Sequence, residues 1–216
     1  PGMLWAQSAE KENEFTMSMQ IRPRAEYRNG AQFPRFEGDK AAAFINNRAR
    51  LSMEYKRSDL SMKISAQHVG VWGQDPQIDT NGRFIMNEAW AKLDFGAGFF
   101  AQLGRQTLSY DERILGGLDW NVAGRYHDAL KLGYAKNAHQ LHFILAFNQN
   151  KEKSKGGTYY YDGAQPYKNM QTLWYHYAAQ ASNLDVSLLF MNLGLETGDA
   201  ETETSRTRYL QTFGTY

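Results

Sequence analysis

The sequence predicts an all-β protein, an antiparallel up-and-down transmembrane β-barrel of which about ten strands are present. Runs of about ten residues alternate apolar with polar side chains, which puts the two kinds on opposite faces of a strand. The connectors between the runs are alternately long and short, as in outer-membrane barrels with long outer loops and tight periplasmic turns. Long connectors are expected at 29–42, 73–83, 110–124, 151–166 and 197–205, and short ones at 57–59, 96–98, 135–138 and 182–185.

Composition favours the same class of protein. Aromatic residues make up 14% of the 216 residues while charged residues make up 22%, a combination typical of a barrel with aromatic girdles and a wet lumen. No stretch approaches about 18 consecutive apolar residues, so a helical span is excluded, and closed strands are the remaining way to satisfy the backbone in lipid. The chain has no cysteine, which excludes disulfides, thiol catalysis and thiolate metal sites.

The expected domain organisation is simple. Residues 1–6 are interpreted as the remnant of a secretory signal because they are apolar and end in a small residue, Ala6. Residues 7–216 then form a single β-barrel domain, expected in the outer membrane of a Gram-negative cell with outer-membrane lipid around it. The net charge is only +1, so no nucleic-acid partner is expected.

The strands differ in how clearly they assign their faces. The first run, 15–28, alternates apolar and charged residues most cleanly, whereas the last three runs carry apolar or aromatic residues at both parities and leave their facing open. Tyr and Trp residues fall near the predicted strand ends, which suits interfacial belts, although ordinary strand propensity would also place aromatics there. These residues are Tyr27, Tyr55, Trp72, Tyr134, Tyr175 and Tyr177.

The polar faces of the first two strands are rich in arginine. Because strand pairing brings these faces together, they predict a guanidinium lattice on the lumen wall that would select anions such as acidic sugars. The alternative is that arginine and glutamate pair across strands only to keep a wide barrel rigid. The lattice comprises Arg22, Arg24, Glu26, Arg28, Arg48 and Arg50, and Lys63, Glu88, Lys92 and Lys131 would extend it around the wall.

The fifth run presents a conflict. The parity of Leu103 would aim Arg105 at lipid, where a charge near the bilayer midplane costs about 2–4 kcal/mol. A β-bulge near Gly104 is therefore expected, since one extra residue would turn Arg105 to the other face.

Residues 104–128 contain an ordered series of short motifs: Gly-Arg-Gln at 104–106, Tyr-Asp-Glu-Arg at 110–113, Asp-Trp at 119–120 and Gly-Arg-Tyr-His-Asp at 124–128. In this order the series resembles the alginate-export family of outer-membrane barrels. The segments 87–93 and 171–177 are also similar to related porins, and the resemblance extends from about Gln20 to Tyr216.

The resemblance implies a larger barrel of about eighteen strands, of which this chain is the N-terminal part. It also implies an electropositive pore for an anionic oligosaccharide or polyuronate. Trp120 would be a sugar-stacking platform or a packing residue. The charged cluster implied to line the pore, or to fold a loop over it, is Arg105, Asp111, Arg113, Asp119, Arg125 and Asp128. Fixed charges of both signs on such a loop could form a constriction, or ion pairs could merely hold the loop against the wall.

Enzymatic readings find little support in the sequence, and no enzyme activity, metal or cofactor is expected. The five histidines are scattered without metal-ligand spacing, and no Gly-x-Ser-x-Gly or phosphate-binding glycine loop occurs. The expected function is passive diffusion of anionic solutes through a porin-like channel. The alternatives are a general non-specific porin, a membrane-embedded hydrolase using His127 and Asp128, and a soluble β-rich carbohydrate-binding module.

Overall fold

The computed structural model describes residues 13–30, 34, 36–72, 84–110, 115–117, 119–121, 123–149, 160, 165–179, 184–199 and 204–216. Ten strands form one antiparallel sheet in which each strand pairs with its neighbours in chain order. The sheet is open, since β1 pairs only with β2 and β10 only with β9. The strands are β1 (Glu14–Arg28), β2 (Ala42–Lys56), β3 (Leu60–Val71), β4 (Phe84–Gly96), β5 (Phe99–Gln106), β6 (His127–Lys136), β7 (His139–Phe147), β8 (Asn169–Ala179), β9 (Leu184–Asp199) and β10 (Thr204–Thr215).

The predicted order of strands, and the alternation of long and short connectors, is confirmed as far as β9. The predicted long connector at 197–205 is wrong, because β9 continues to Asp199 and β10 begins at Thr204. Thr197 pairs with Arg206 and Gly198 pairs with Ser205. Polar residues and glycine suggested a loop there, but an antiparallel hairpin can extend through such residues when its register is already fixed by the apolar run before them.

The register assigns every strand residue to one of two faces, because directly paired residues point the same way. We call the face that carries Arg22, Arg48 and Lys63 the charged face, and the opposite face the apolar face. Large apolar side chains are exposed on the apolar face from β1 to β10, and Met19 of β1 is 75% exposed. Examples along the sheet are Phe15, Met17, Ile21, Leu51, Ile64, Leu93, Leu103, Leu132, Phe143, Leu173, Leu188 and Phe213.

The expected bulge near Gly104 is wrong. Leu103, Gly104 and Arg105 follow one another in unbroken register against both β4 and β6. The irregularity lies instead in β4, where Ser65 pairs with Glu88 and Ala66 pairs with Met86. Gly104 departs from an ordinary strand residue only in its φ of +121°, and an added Cβ would lie 2.2 Å from the carbonyl oxygen of Ala89, so only glycine fits.

A small hydrophobic core explains why the last strands could not be assigned a face from sequence. On β7 to β9 several positions of the charged face are occupied by apolar residues, among them Ile144, Met170 and Met191. Connector residues such as Leu108 and Tyr167 pack over them. Both faces of these strands therefore carry large apolar residues, those on one face buried under connectors and those on the other exposed. Among the described residues, no helix is long and apolar enough to cross a membrane.

Candidate functional site

Two arginines oppose each other at the centre of the charged face. Arg22 of β1 pairs directly with Arg48 of β2, an arrangement that repels unless an anion lies between the guanidinium groups. The carboxylate of Asp119 supplies that anion. It lies 3.0 Å from Nη2 of Arg48, 3.7 Å from Nη1 of Arg22 and 3.7 Å from Nη1 of Arg50.

The backbone of residues 119–121 provides further acceptors. Nη1 of Arg22 donates to the carbonyl oxygen of Asp119 at 2.6 Å, and its Nη2 donates to that of Asn121 at 2.8 Å. Nη1 of Arg24 donates to the carbonyl oxygen of Trp120. The guanidinium of Arg24 also lies 5.4 Å from the centre of the Trp120 ring, which is 82% exposed. The connector between β5 and β6 is thus held on the charged face by arginines of β1 and β2.

A glutamine on β3 makes a second attachment. Gln67 is buried, accepts a hydrogen bond from Nε of Arg50 at 2.9 Å and donates to the carbonyl oxygen of Ala123 at 2.6 Å. Arg125 lies in the same connector, and its backbone nitrogen donates to the carbonyl oxygen of Gly117 at 2.7 Å. Gln67 was not among the predicted site residues, and its only signal in the sequence is a long amide at a charged-face position.

Farther along β1, Glu26 pairs with both Arg24 and Arg28. Glu26 accepts from Nη2 of Arg28 at 2.7 Å, from Nε of Arg24 at 2.9 Å and from the amide of Asn46 at 2.8 Å. The predicted lattice therefore divides: Arg22, Arg24, Arg48 and Arg50 converge on residues 119–121, and Arg28 does not reach them.

The predicted lysines continue along the charged face. Nζ of Lys63 lies 2.7 Å from the carboxylate of Glu88, and Nζ of Lys92 lies 2.9 Å from that of Asp94. Lys131 is half-buried and has no carboxylate within ion-pair distance among the described residues.

Arg105 and Asp128 do not belong to this surface, contrary to the prediction. The unbroken register pairs them directly and keeps Arg105 on the face of Leu103 and Asp128 on the face of Leu130, which is the apolar face. Nε and Nη2 of Arg105 each lie 2.8 Å from one carboxylate oxygen of Asp128, and Nη1 donates to the carbonyl oxygen of Met86. The prediction of a bulge arose because a lone arginine would be costly on the apolar face. The bidentate pair removes that cost without a bulge, because the charges of Arg105 and Asp128 neutralise each other. The predicted residues Asp111 and Arg113 lie outside the described residues.

His127 and Asp128 point to opposite faces of β6, so the structure does not bring together the pair considered for hydrolysis. Nδ1 of His127 lies 2.6 Å from the hydroxyl of Tyr167. Burial raises the pKa of the Tyr167 phenol, so the hydroxyl stays protonated at neutral pH. Within the described ranges, no three His, Asp or Glu residues are grouped so that they could hold a metal ion.

No protein-family model matches the sequence. A search of curated proteins finds no match either.

Proposed function

We propose that this chain forms part of a transmembrane β-barrel of about eighteen strands in the bacterial outer membrane. In this proposal it lets anionic solutes, acidic oligosaccharides or polyuronates of the alginate type, diffuse passively through the barrel. The sheet would curve around the charged face, and the apolar face would contact lipid. A passive pore has no built-in direction.

The observation that carries the proposal is the separation of the two faces. A soluble protein seldom exposes a contiguous apolar surface larger than a few hundred Å². Here exposed apolar side chains continue over all ten strands. The ten strands have 8 to 16 residues each, which suits the roughly 9–11 residues that a tilted strand needs to cross the hydrocarbon region.

The aromatic residues near the strand ends add support. Tyr55, Tyr134 and Tyr175 occupy apolar-face positions near the short turns, and Tyr27 lies on the same face near the long connectors. Tyrosine prefers this level in membrane proteins because its ring is apolar and its hydroxyl is hydrated.

The charge of the opposite face supports anion passage. The four arginines around residues 119–121 contact only two of the described carboxylates, Asp119 and Glu26, so the group keeps a net positive charge. The connector crossing this face, with Trp120 exposed upon it, would narrow the lumen. Rings of fixed charge at a narrow place are the usual source of ion selectivity.

The test is the reversal potential of the protein in a planar bilayer under a KCl gradient. We expect a current that prefers chloride over potassium. The double variant Arg22→Met with Arg48→Met should move the reversal potential toward zero, while Arg57→Met in the short turn after β2 should leave it unchanged. A silent bilayer would overturn the channel, and an unchanged potential in the double variant would remove the arginines from ion selection.

A further inference from the structure

On the charged face, Lys131 remains available to bind an anion, whereas the arginines of β1 and β2 already contact other groups. Arg22, Arg24 and Arg48 already donate to the connector at 119–121. Lys131 of β6 is half-buried, and none of the described carboxylates comes within ion-pair distance of its ammonium group. A partly desolvated cation without an anionic partner is unfavourable unless an anion binds it.

A side-chain amide lies beside this cation. Gln102 of β5 pairs directly with Lys92 of β4 on one side and with Lys131 on the other. Gln102 is only 7% exposed. The amide therefore lies on the charged face between two lysine side chains, one on each neighbouring strand.

Aromatic rings border the same row. The Phe100 ring centre lies 4.4 Å from Nζ of Lys92 and 6.0 Å from Nζ of Lys131. The ring rests on Gly133, where an added Cβ would lie 2.1 Å from a ring carbon. His142 packs with its edge toward Phe100 at 5.4 Å. Both ammonium groups therefore lie near the same apolar ring, and the contact with Gly133 fixes the position of that ring.

We propose that Lys92, Gln102 and Lys131 form a subsite for the carboxylate of an acidic sugar. With Asp94 paired to Lys92, the group carries one net positive charge, which matches one carboxylate. The amide of Gln102 both donates and accepts hydrogen bonds, which suits neighbouring hydroxyl groups. The choice of an acidic sugar rests on the proposed function, whereas the place of the subsite rests on these three strands alone.

Calorimetric titration of the protein in detergent micelles tests the subsite without requiring a pore. D-Galacturonate should bind, D-galactose and acetate should bind more weakly, and Lys131→Met should weaken galacturonate binding by at least about tenfold. Lys136→Met is the matched control, because Lys136 is an exposed lysine at the end of the same strand. Lys131→Arg should keep most of the affinity because it keeps the charge.

Folding and binding can be separated in the same samples. Lys131→Met replaces a half-buried charge by an apolar chain of similar length, so the midpoint of urea unfolding should not fall. Galacturonate affinity that is unchanged in Lys131→Met, or equally reduced in Lys136→Met, would overturn the subsite, as would equal affinity for acetate. Binding by a protein that conducts no current would reject the channel and keep the subsite, and conduction without binding would do the reverse.

Discussion

Arg48 is fully buried, and its direct neighbour across the sheet is another arginine. A buried charge is tolerated only when polar or oppositely charged groups surround it, because removing the charge from water costs on the order of several kcal/mol. Nη2 donates to Gln20 at 2.6 Å and contacts Asp119 at 3.0 Å, while Nε has no partner among the described residues. Arg48 therefore acts first as an anchor for the connector, and its positive charge stays at a fixed place on the charged face.

The alternation of β1 and β2 was enough to predict that these arginines share a face, and the register confirms it. It could not predict their partners. Asp119 lies 71 residues from Arg48 along the chain, and a contact of that kind depends on how a whole connector folds back. The same limit explains Arg105, whose neutralising partner Asp128 is a cross-strand neighbour visible only once the register is known.

The Arg105–Asp128 pair gives a prediction at a single site. Arg105→Ala leaves the Asp128 carboxylate on the apolar face without its partner, and we expect the free energy of unfolding to fall by about 1–3 kcal/mol. Adding Asp128→Ala should restore most of that loss, since neither charge then remains. Urea unfolding followed by tryptophan fluorescence in lipid vesicles measures both.

The exposed pair Arg57–Asp59, 3.2 Å apart in a short turn, is the control. Arg57→Ala should change the free energy of unfolding by less than about 1 kcal/mol. If the double variant at 105 and 128 is no more stable than Arg105→Ala, the pair does not neutralise a charge on the apolar face.

At the scale of elements, the connector between β5 and β6 lies over the arginines of the charged face, and in the proposed pore it would form the constriction. It is attached at two of its described parts, through residues 119–121 to β1 and β2 and through Ala123 to Gln67 of β3. The strands themselves were predictable because their period is local. The attachment of the connector was not predictable, because it depends on backbone carbonyl groups, which every residue has.

This attachment predicts a change in protease sensitivity. Trp120 is 82% exposed, yet its backbone is fixed by Arg24 and its neighbours by Arg22 and Arg48. Arg48→Met removes one charged anchor worth about 1.5–3 kcal/mol, so chymotrypsin should cut after Trp120 about tenfold faster or more. Mass spectrometry of the fragments identifies the bond and gives its rate.

Arg28→Met is the matched control. Arg28 lies on the same face of the sheet as Arg48, but it pairs with Glu26 and not with the connector. Cleavage after Trp120 should keep its original rate in this variant. Equal acceleration in both variants, or cuts spread over the chain in Arg48→Met, would show that the arginine stabilises the sheet in general and does not hold the connector.

At the scale of the whole molecule, the two faces of the sheet are suited to different surroundings. The charged face is covered in part by connectors, whereas the apolar face keeps residues such as Met19 and Ile21 exposed by more than half. In water this arrangement would promote aggregation. In a bilayer the same surface would be the source of stability, and the open edges of β1 and β10 would need further strands, because unpaired backbone groups are not tolerated in lipid.

The surroundings of the apolar face can be decided with one charge placed on either side of β1. Met19 is on the apolar face and Ser18 is next to it on the charged face, and both are exposed. In water, lysine at an exposed position would be harmless at both sites. In lipid, Met19→Lys should cost about 2–4 kcal/mol near the bilayer midplane, while Ser18→Lys should cost little. Urea titration of folding into lipid vesicles, read by heat-dependent gel mobility, compares the two variants, and equal stability would mean that the apolar face of β1 does not contact hydrocarbon.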